Sequence, residues 1–286
     1  ISIGSGYAWS VLTRPIMADM GFTMSQTTWT FSLAILMLGL SAGFLGSFAE
    51  KIGPKKSGLL SMLFWVAGLL GTAYALSIHN LTLLYLFYGI IGGIGLGIGY
   101  ITPVSTLVKY FPNRPGFATG LAIMGFGFAS LIAGPLMQFL VAQVGLVNNF
   151  IILGIIYLVV MGASSLYLKA PQPKQLPRTP KDKSTMYVHN HGMLANDAMK
   201  TWQFGALWWI FFINITCLRS LASPMAQETI GMTPAAAASL VGIIGIFNGG
   251  GRIAWSTISD YFGRAQTYIL FFIIQIIAFY VLAETN

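Results

Sequence analysis

Apolar residues in this chain run in blocks of about twenty, the length that crosses a hydrocarbon core of about 30 Å at about 1.5 Å per helical residue. That feature limits the fold more than any motif does. The 286 residues are 56% hydrophobic and 8% charged, with 33 glycines and a mean hydropathy of +0.75. A soluble domain carries charge on roughly 25% of its residues, so ordinary soluble, disordered and disulfide-rich secreted classes are excluded. The alternating pattern of outer-membrane barrel strands is missing. A helical bundle is then the way to satisfy the backbone in lipid, and the expected fold class is an all-α polytopic membrane protein.

The spans are expected at 1–18, 27–49, 57–77, 81–108, 116–143, 147–168, 203–223, 234–257 and 267–284, the first of them partial. One long polar stretch carries Pro171, Pro173, Pro177 and Pro180 together with Lys174, Arg178, Lys181, Lys183 and Lys200. It reads as a linker over 170–202, dividing the chain into 1–169 and 203–286. The chain opens on Ile1 with its first apolar stretch under way, and the last span stops just before the final residue, Asn286. The expectation is an internal fragment of a longer protein.

Lys51, Lys55, Lys56, Lys109, Arg114, Lys169, the linker bases and Arg264 fall in alternate loops, whereas the loops at 78–80 and 144–149 have none. The positive-inside rule places the linker side in the cytoplasm, in a plasma or inner membrane. The net charge of +8 is therefore a topology signal and a membrane-facing rim, with no nucleic-acid partner implied. Cys217 is a lone cysteine inside an apolar span, so no intrachain disulfide forms. Asn80-Leu81-Thr82 has the form of a glycosylation sequon in a loop too close to the membrane to carry weight. No metal or cofactor motif is present, and the 13 methionines read as core filler.

Two loops on the same side share an order of acid, glycine and base. The first contains Gly46, Glu50, Lys51 and Gly53; the second contains Asp260, Gly263 and Arg264. The acid can pair with a base or cap a neighbouring helix, and the glycine permits a tight turn, so each loop is expected to latch one rigid-body state. The glycine run Gly89, Gly92, Gly93, Gly95, Gly97 and Gly99 has the spacing for close helix approach and does not fit a dinucleotide fingerprint.

These loops resemble the signature of the major facilitator superfamily, between its second and third helices and, more weakly, between its eighth and ninth. The resemblance implies a fold of six plus six helices, here truncated to about nine, with helices ten to twelve outside the chain. Three further stretches are similar to the oxalate/formate antiporter family: Gly6 to Ser10; Gly99-Tyr100 with Lys109 to Gly120; and Phe247 to Arg252 ahead of Ser259-Asp260. That resemblance implies substrate binding by Arg252 with a lysine of the eleventh helix, and by aromatic groups at Tyr7, Tyr100 and Trp9. It also implies a functional monomer when the chain is full length.

From the residues alone, Arg252 is expected roughly 12 Å inside the eighth span, counting eight residues from Asp260. A guanidinium there needs a cavity or an anion, and no carboxylate in the spans offers itself. A substrate carboxylate would fill that role through two parallel hydrogen bonds. Tyr7 and Tyr100 read equally well as ordinary packed tyrosines. Arg14 and Arg219 can face an outer vestibule or reach to head groups. The expected function is a secondary carrier of small carboxylate anions working by alternating access. A monocarboxylate carrier of the pyruvate or lactate type, a proton-coupled symporter and a passive anion channel stand as alternatives. An intramembrane enzyme is not expected, because His79, His189 and His191 lie outside the spans and the carboxylates sit at loops or ends.

Overall fold

A computed structural model of the chain describes residues 2–171, 200–202, 205, 227 and 231–284. Most of the expected seventh span, most of the linker, Cys217 and Arg219 lie outside the described residues. Among the described residues every regular element is helical. A 3₁₀ turn, Ser2–Ala8, leads into α1, Trp9–Met20, followed by α2, Met24–Ile52, and α3, Pro54–Ser77. Next comes α4, Leu81–Tyr110, whose Tyr85–Gly92 stretch is π-helical. The helical residues Pro115–Tyr167 break at Gly145 (φ 83°, ψ 171°) into α5, 115–144, and α6, 146–167. The second part of the chain gives α7, Pro234–Phe262, and α8, Arg264–Glu284.

Local chemistry explains the starts. Thr23 and Gln26 form a reciprocal capping box on α2, and Asn80 Oδ1 accepts from the Leu83 amide at 3.1 Å to cap α4. The sequon asparagine is thus a helix cap. Pro54, Pro115 and Pro234 open their helices where a missing amide hydrogen costs nothing. Gly53 (φ 82°, ψ 161°) and Gly263 (φ 90°, ψ 148°) share one backbone conformation, open in practice to glycine alone, so the two similar loops turn alike.

Five helical stretches of 24 to 53 residues are long and apolar enough to cross a membrane. The longest supplies two crossings, because α6 returns along α3: Gly154 lies against Leu70, Gly162 against Met62 and Gly58 against Ser165. Tyr110 donates to the Lys169 carbonyl at 3.2 Å, and Lys109 Nζ pairs with Glu50 at 2.7 Å, so the lysine-rich helix ends gather at one end of the bundle. We call this the basic end.

The run of glycines in α4 serves two neighbours at once. A Cβ at Gly89, Gly93 or Gly97 would strike α2 at Leu33, Met37 or Ser41, whereas one at Gly92, Gly95 or Gly99 would strike Trp65 or Ser61 of α3. Two interleaved glycine faces therefore bring α4 into close contact with both helices. Ser61 Oγ donates to the Gly95 carbonyl at 2.7 Å across the seam with α3. Tyr88 sits at the centre of the first six helices with Trp9, Trp65 and Phe150 around it, ring centroids 4.3, 5.7 and 6.3 Å away.

Candidate functional site

The helix α7 meets α5 along a seam of glycines from both helices. Cβ atoms placed at Gly116, Gly120 and Gly127 of α5 would fall on Asp260, on Ser256 and the Arg252 carbonyl, and on the Asn248–Gly249 peptide. From α7, Gly245 and Gly242 approach Ser130 and Leu131 in the same way. Close approach at these glycines fixes the rotation of α7 about its axis in this conformation, and so fixes where Arg252 points.

At the basic end of the seam Asp260 accepts from two backbone amides that open α5: Gly116 N to Oδ1 at 3.0 Å and Phe117 N to Oδ2 at 2.9 Å. A carboxylate placed so meets the unpaired amides and the positive end of the helix dipole. The Arg114 guanidinium stands 6.0 Å over the Tyr261 ring beside it. Glu50, the matching acid of the first loop, has a different partner, the Lys109 ammonium, in an exposed pair. Gly46 packs in ordinary contact with Ile101, and among the described residues neither Lys51 nor Arg264 enters an ion pair. Similar loops thus hold their acids against unlike targets.

Halfway along, several helices converge. Tyr100 stands ten residues from the Tyr110 end of α4, Phe126 eleven from Pro115 in α5, and Arg252 ten from Phe262 in α7. At 1.5 Å per residue all three lie roughly 15 Å from the basic end, about half the thickness of a hydrocarbon core. Phe126 joins the two expected tyrosines, its ring centroid 5.8 Å from that of Tyr7 and 5.4 Å from that of Tyr100. Tyr100 lies within electrostatic reach of both Tyr7 and Arg252. A small apolar recess lined by Ile3, Tyr7, Phe31, Ile35, Leu96 and Phe126 adjoins the rings.

Arg252 is part-buried, and its Nε donates to Asn248 Oδ1 one turn earlier, at 3.1 Å. Among the described residues no carboxylate pairs with it. Arg252, Tyr100 and Tyr7 therefore share one region, with Phe126 and Asn248 as members that sequence reasoning did not pick out. Asn248 could have been found from its spacing of four residues from the arginine; Phe126, one of 20 phenylalanines, had no such signal. Trp9 is 1% exposed, its ring tilted 42° against that of Tyr88, which also lines the recess beside Tyr7 and Phe126. Toward the opposite end, Arg14 Nη1 donates to Gln227 Oε1 at 3.1 Å, and Val11 packs with Ala238 and Val241. Arg14 is thus tied to the second part of the chain. Among the described residues no three His, Cys, Asp or Glu side chains come together as metal ligands.

The sequence matches the Major Facilitator Superfamily pattern over residues 1–284. The chain belongs to the major facilitator superfamily. Members of this superfamily are carriers, and the chain is an integral, multi-pass, all-α membrane protein of that superfamily. It is 29% identical to the uncharacterized MFS-type transporter YhjX of Escherichia coli over 96% of this chain and 67% of that protein. It is 26% identical to the oxalate:formate antiporter of Oxalobacter formigenes over 94% of this chain and 62% of that one. With the apicoplast pyruvate carrier 1 of Toxoplasma gondii it shares 22% identity over 83% of this chain and 54% of the carrier. The chain thus spans between about half and two thirds of the length of these relatives.

Proposed function

We propose that this superfamily member moves small carboxylate anions by alternating access, with Arg252 as the anion anchor. The observation that carries the reading is a guanidinium at mid-depth whose hydrogen-bond partner is a neutral amide. A charged arginine at the centre of a bilayer costs about 3 kcal/mol or more unless it is met by water or an anion. Asn248 satisfies one N–H and leaves the charge unneutralised, so the site favours an anion on either leg of the cycle. Tyr100 and Tyr7 add phenol hydroxyls suited to a carboxylate, and Phe126 with its recess limits the size of what enters. Similarity to an oxalate:formate antiporter and to a pyruvate carrier supports the carboxylate class.

The same proposal gives the sidedness and the moving parts. The basic end is cytoplasmic by the positive-inside rule. Residues 1–169 form one half of the carrier, 170–202 the cytoplasmic linker and 203–286 the beginning of the other half. Asp260 on the α5 amides holds the cytoplasmic end shut, and its release lets the halves rock about the midplane site. Anion exchange is the coupling mode we favour, since among the described residues no acid stands beside Arg252 to carry a proton.

The test is uptake of radiolabelled oxalate, formate and pyruvate into proteoliposomes that hold the full-length carrier, against counter-anions inside. At least one of these anions is taken up by the wild type, and Arg252→Gln abolishes its uptake at unchanged reconstitution. Undiminished uptake by Arg252→Gln removes Arg252 from the site.

A further inference from the structure

We infer that Asn248 is a positioning residue that decides which edge of the Arg252 guanidinium meets the anion. The inference rests on the reading that Arg252 binds the substrate carboxylate. A guanidinium can grip a carboxylate side-on, through Nε and one Nη, or end-on, through its two Nη groups. Here Nε donates to Asn248 Oδ1 at 3.1 Å, so the side-on edge is occupied and the end-on edge is left for the substrate.

Two further features make this arrangement more than a chance contact of neighbours one turn apart. The first is rigidity. Gly127 of α5 packs directly on the Asn248–Gly249 peptide, and Gly249 in turn lies against the Met124 carbonyl and the Phe128 ring. The backbone that carries the amide is therefore held against α5 in this conformation, and the guanidinium is oriented before the substrate arrives. The second is charge. An amide oxygen accepts the Nε hydrogen bond without cancelling the positive charge, whereas a carboxylate in the same place would pair with Arg252 and compete with the substrate. Tyr100 is the phenol within electrostatic reach of Arg252, the Ser256 hydroxyl donates to the Arg252 carbonyl, and α5 meets this stretch with glycine backbone, the Met124 carbonyl and the Phe128 ring. Neutrality at position 248 is thus what keeps the arginine available.

Initial rates of radiolabelled oxalate, formate and pyruvate uptake, scored per mole of monodisperse full-length carrier in proteoliposomes, separate this from a packing role. Asn248→Ala frees the guanidinium to rotate and raises KM about tenfold, with kcat within about twofold, the signature of lost ground-state binding. Asn248→Asp has the same shape as the native residue yet is expected to transport worse than Asn248→Ala, because the new carboxylate takes the arginine. A packing role predicts the reverse order, the isosteric change being the milder. An unaltered KM in Asn248→Ala, or an Asn248→Asp carrier as good as Asn248→Ala, overturns the inference. Arg252→Gln in the same assay tells the two levels apart. If it is inactive while the Asn248 variants behave in the second way, only the positioning role falls; if it transports normally, the anion site itself falls.

Discussion

Asp260 meets the first turn of α5 with both carboxylate oxygens, at 3.0 and 2.9 Å from the Gly116 and Phe117 amides. Glu50, at the equivalent point of the first loop, reaches a lysine in an exposed pair. Physical chemistry ranks the two unequally. A capping carboxylate is worth about 1 kcal/mol, up to about 2 in a good geometry, whereas an exposed ion pair contributes about 0 to 1 kcal/mol. Asp260→Ala is therefore expected to lower the melting temperature of the detergent-solubilised carrier by several degrees, and Glu50→Gln to leave it nearly unchanged. Equal melting shifts would show that the α5 cap does not hold the seam. The acid in each loop was legible in the sequence, since its order with glycine and a base repeats. Its target was not, because a helix N-terminus carries no side chain that a sequence could display. Trp9 lies in a family-like stretch, and the packing adds what the sequence could not display, its contact with Tyr88 at the back of the recess.

At the scale of helices, the spans were legible in the apolar runs, whereas their starts are set by Thr23, Asn80 and the three opening prolines, whose capping roles the structure shows. The break between α5 and α6 was expected near 144–147, and it falls at Gly145. Which helix packs on which was not legible, because in a bilayer the lipid-facing and helix-facing sides are both apolar and hydropathy cannot tell them apart. Glycine is the exception, and it was read as a packing signal without its partners. In the structure the α4 run faces α2 and α3 alternately, and the α5 glycines face α7. Neighbouring glycines therefore differ in what they tolerate. Gly127→Ala drives a methyl into the Gly249 backbone and is expected to destabilise the carrier by about 1 to 3 kcal/mol. Gly250→Ala finds nothing within 4 Å of its new methyl and is expected to be neutral or slightly stabilising, alanine being the better helix former. Thermal melts of the two variants check this directly, and an equally large loss in both would contradict the seam as described.

In the whole molecule, bonds between the first helices and the second part of the chain occur at opposite ends: the Asp260 cap at the basic end, and Arg14 with Gln227 at the other. A carrier that opens to one side at a time must release one set while keeping the other. Arg14→Gln is accordingly expected to favour the state open away from the basic end, and Asp260→Asn the state open toward it. Labelling of cysteines introduced in each vestibule should move in opposite directions for the two variants. Movement in the same direction would rule out their roles as opposing latches. Superfamily membership and the all-α fold were within reach of the sequence; the meeting of Tyr7, Phe126, Tyr100 and Arg252 at one depth required the packing. The central claim is that Arg252 is where the anion binds. Its most direct test is calorimetric titration of the purified full-length carrier, wild type and Arg252→Gln, with oxalate, formate and pyruvate. The account predicts binding of at least one of these anions to the wild type and no measurable binding to the variant. Equal affinity in the two proteins would contradict it.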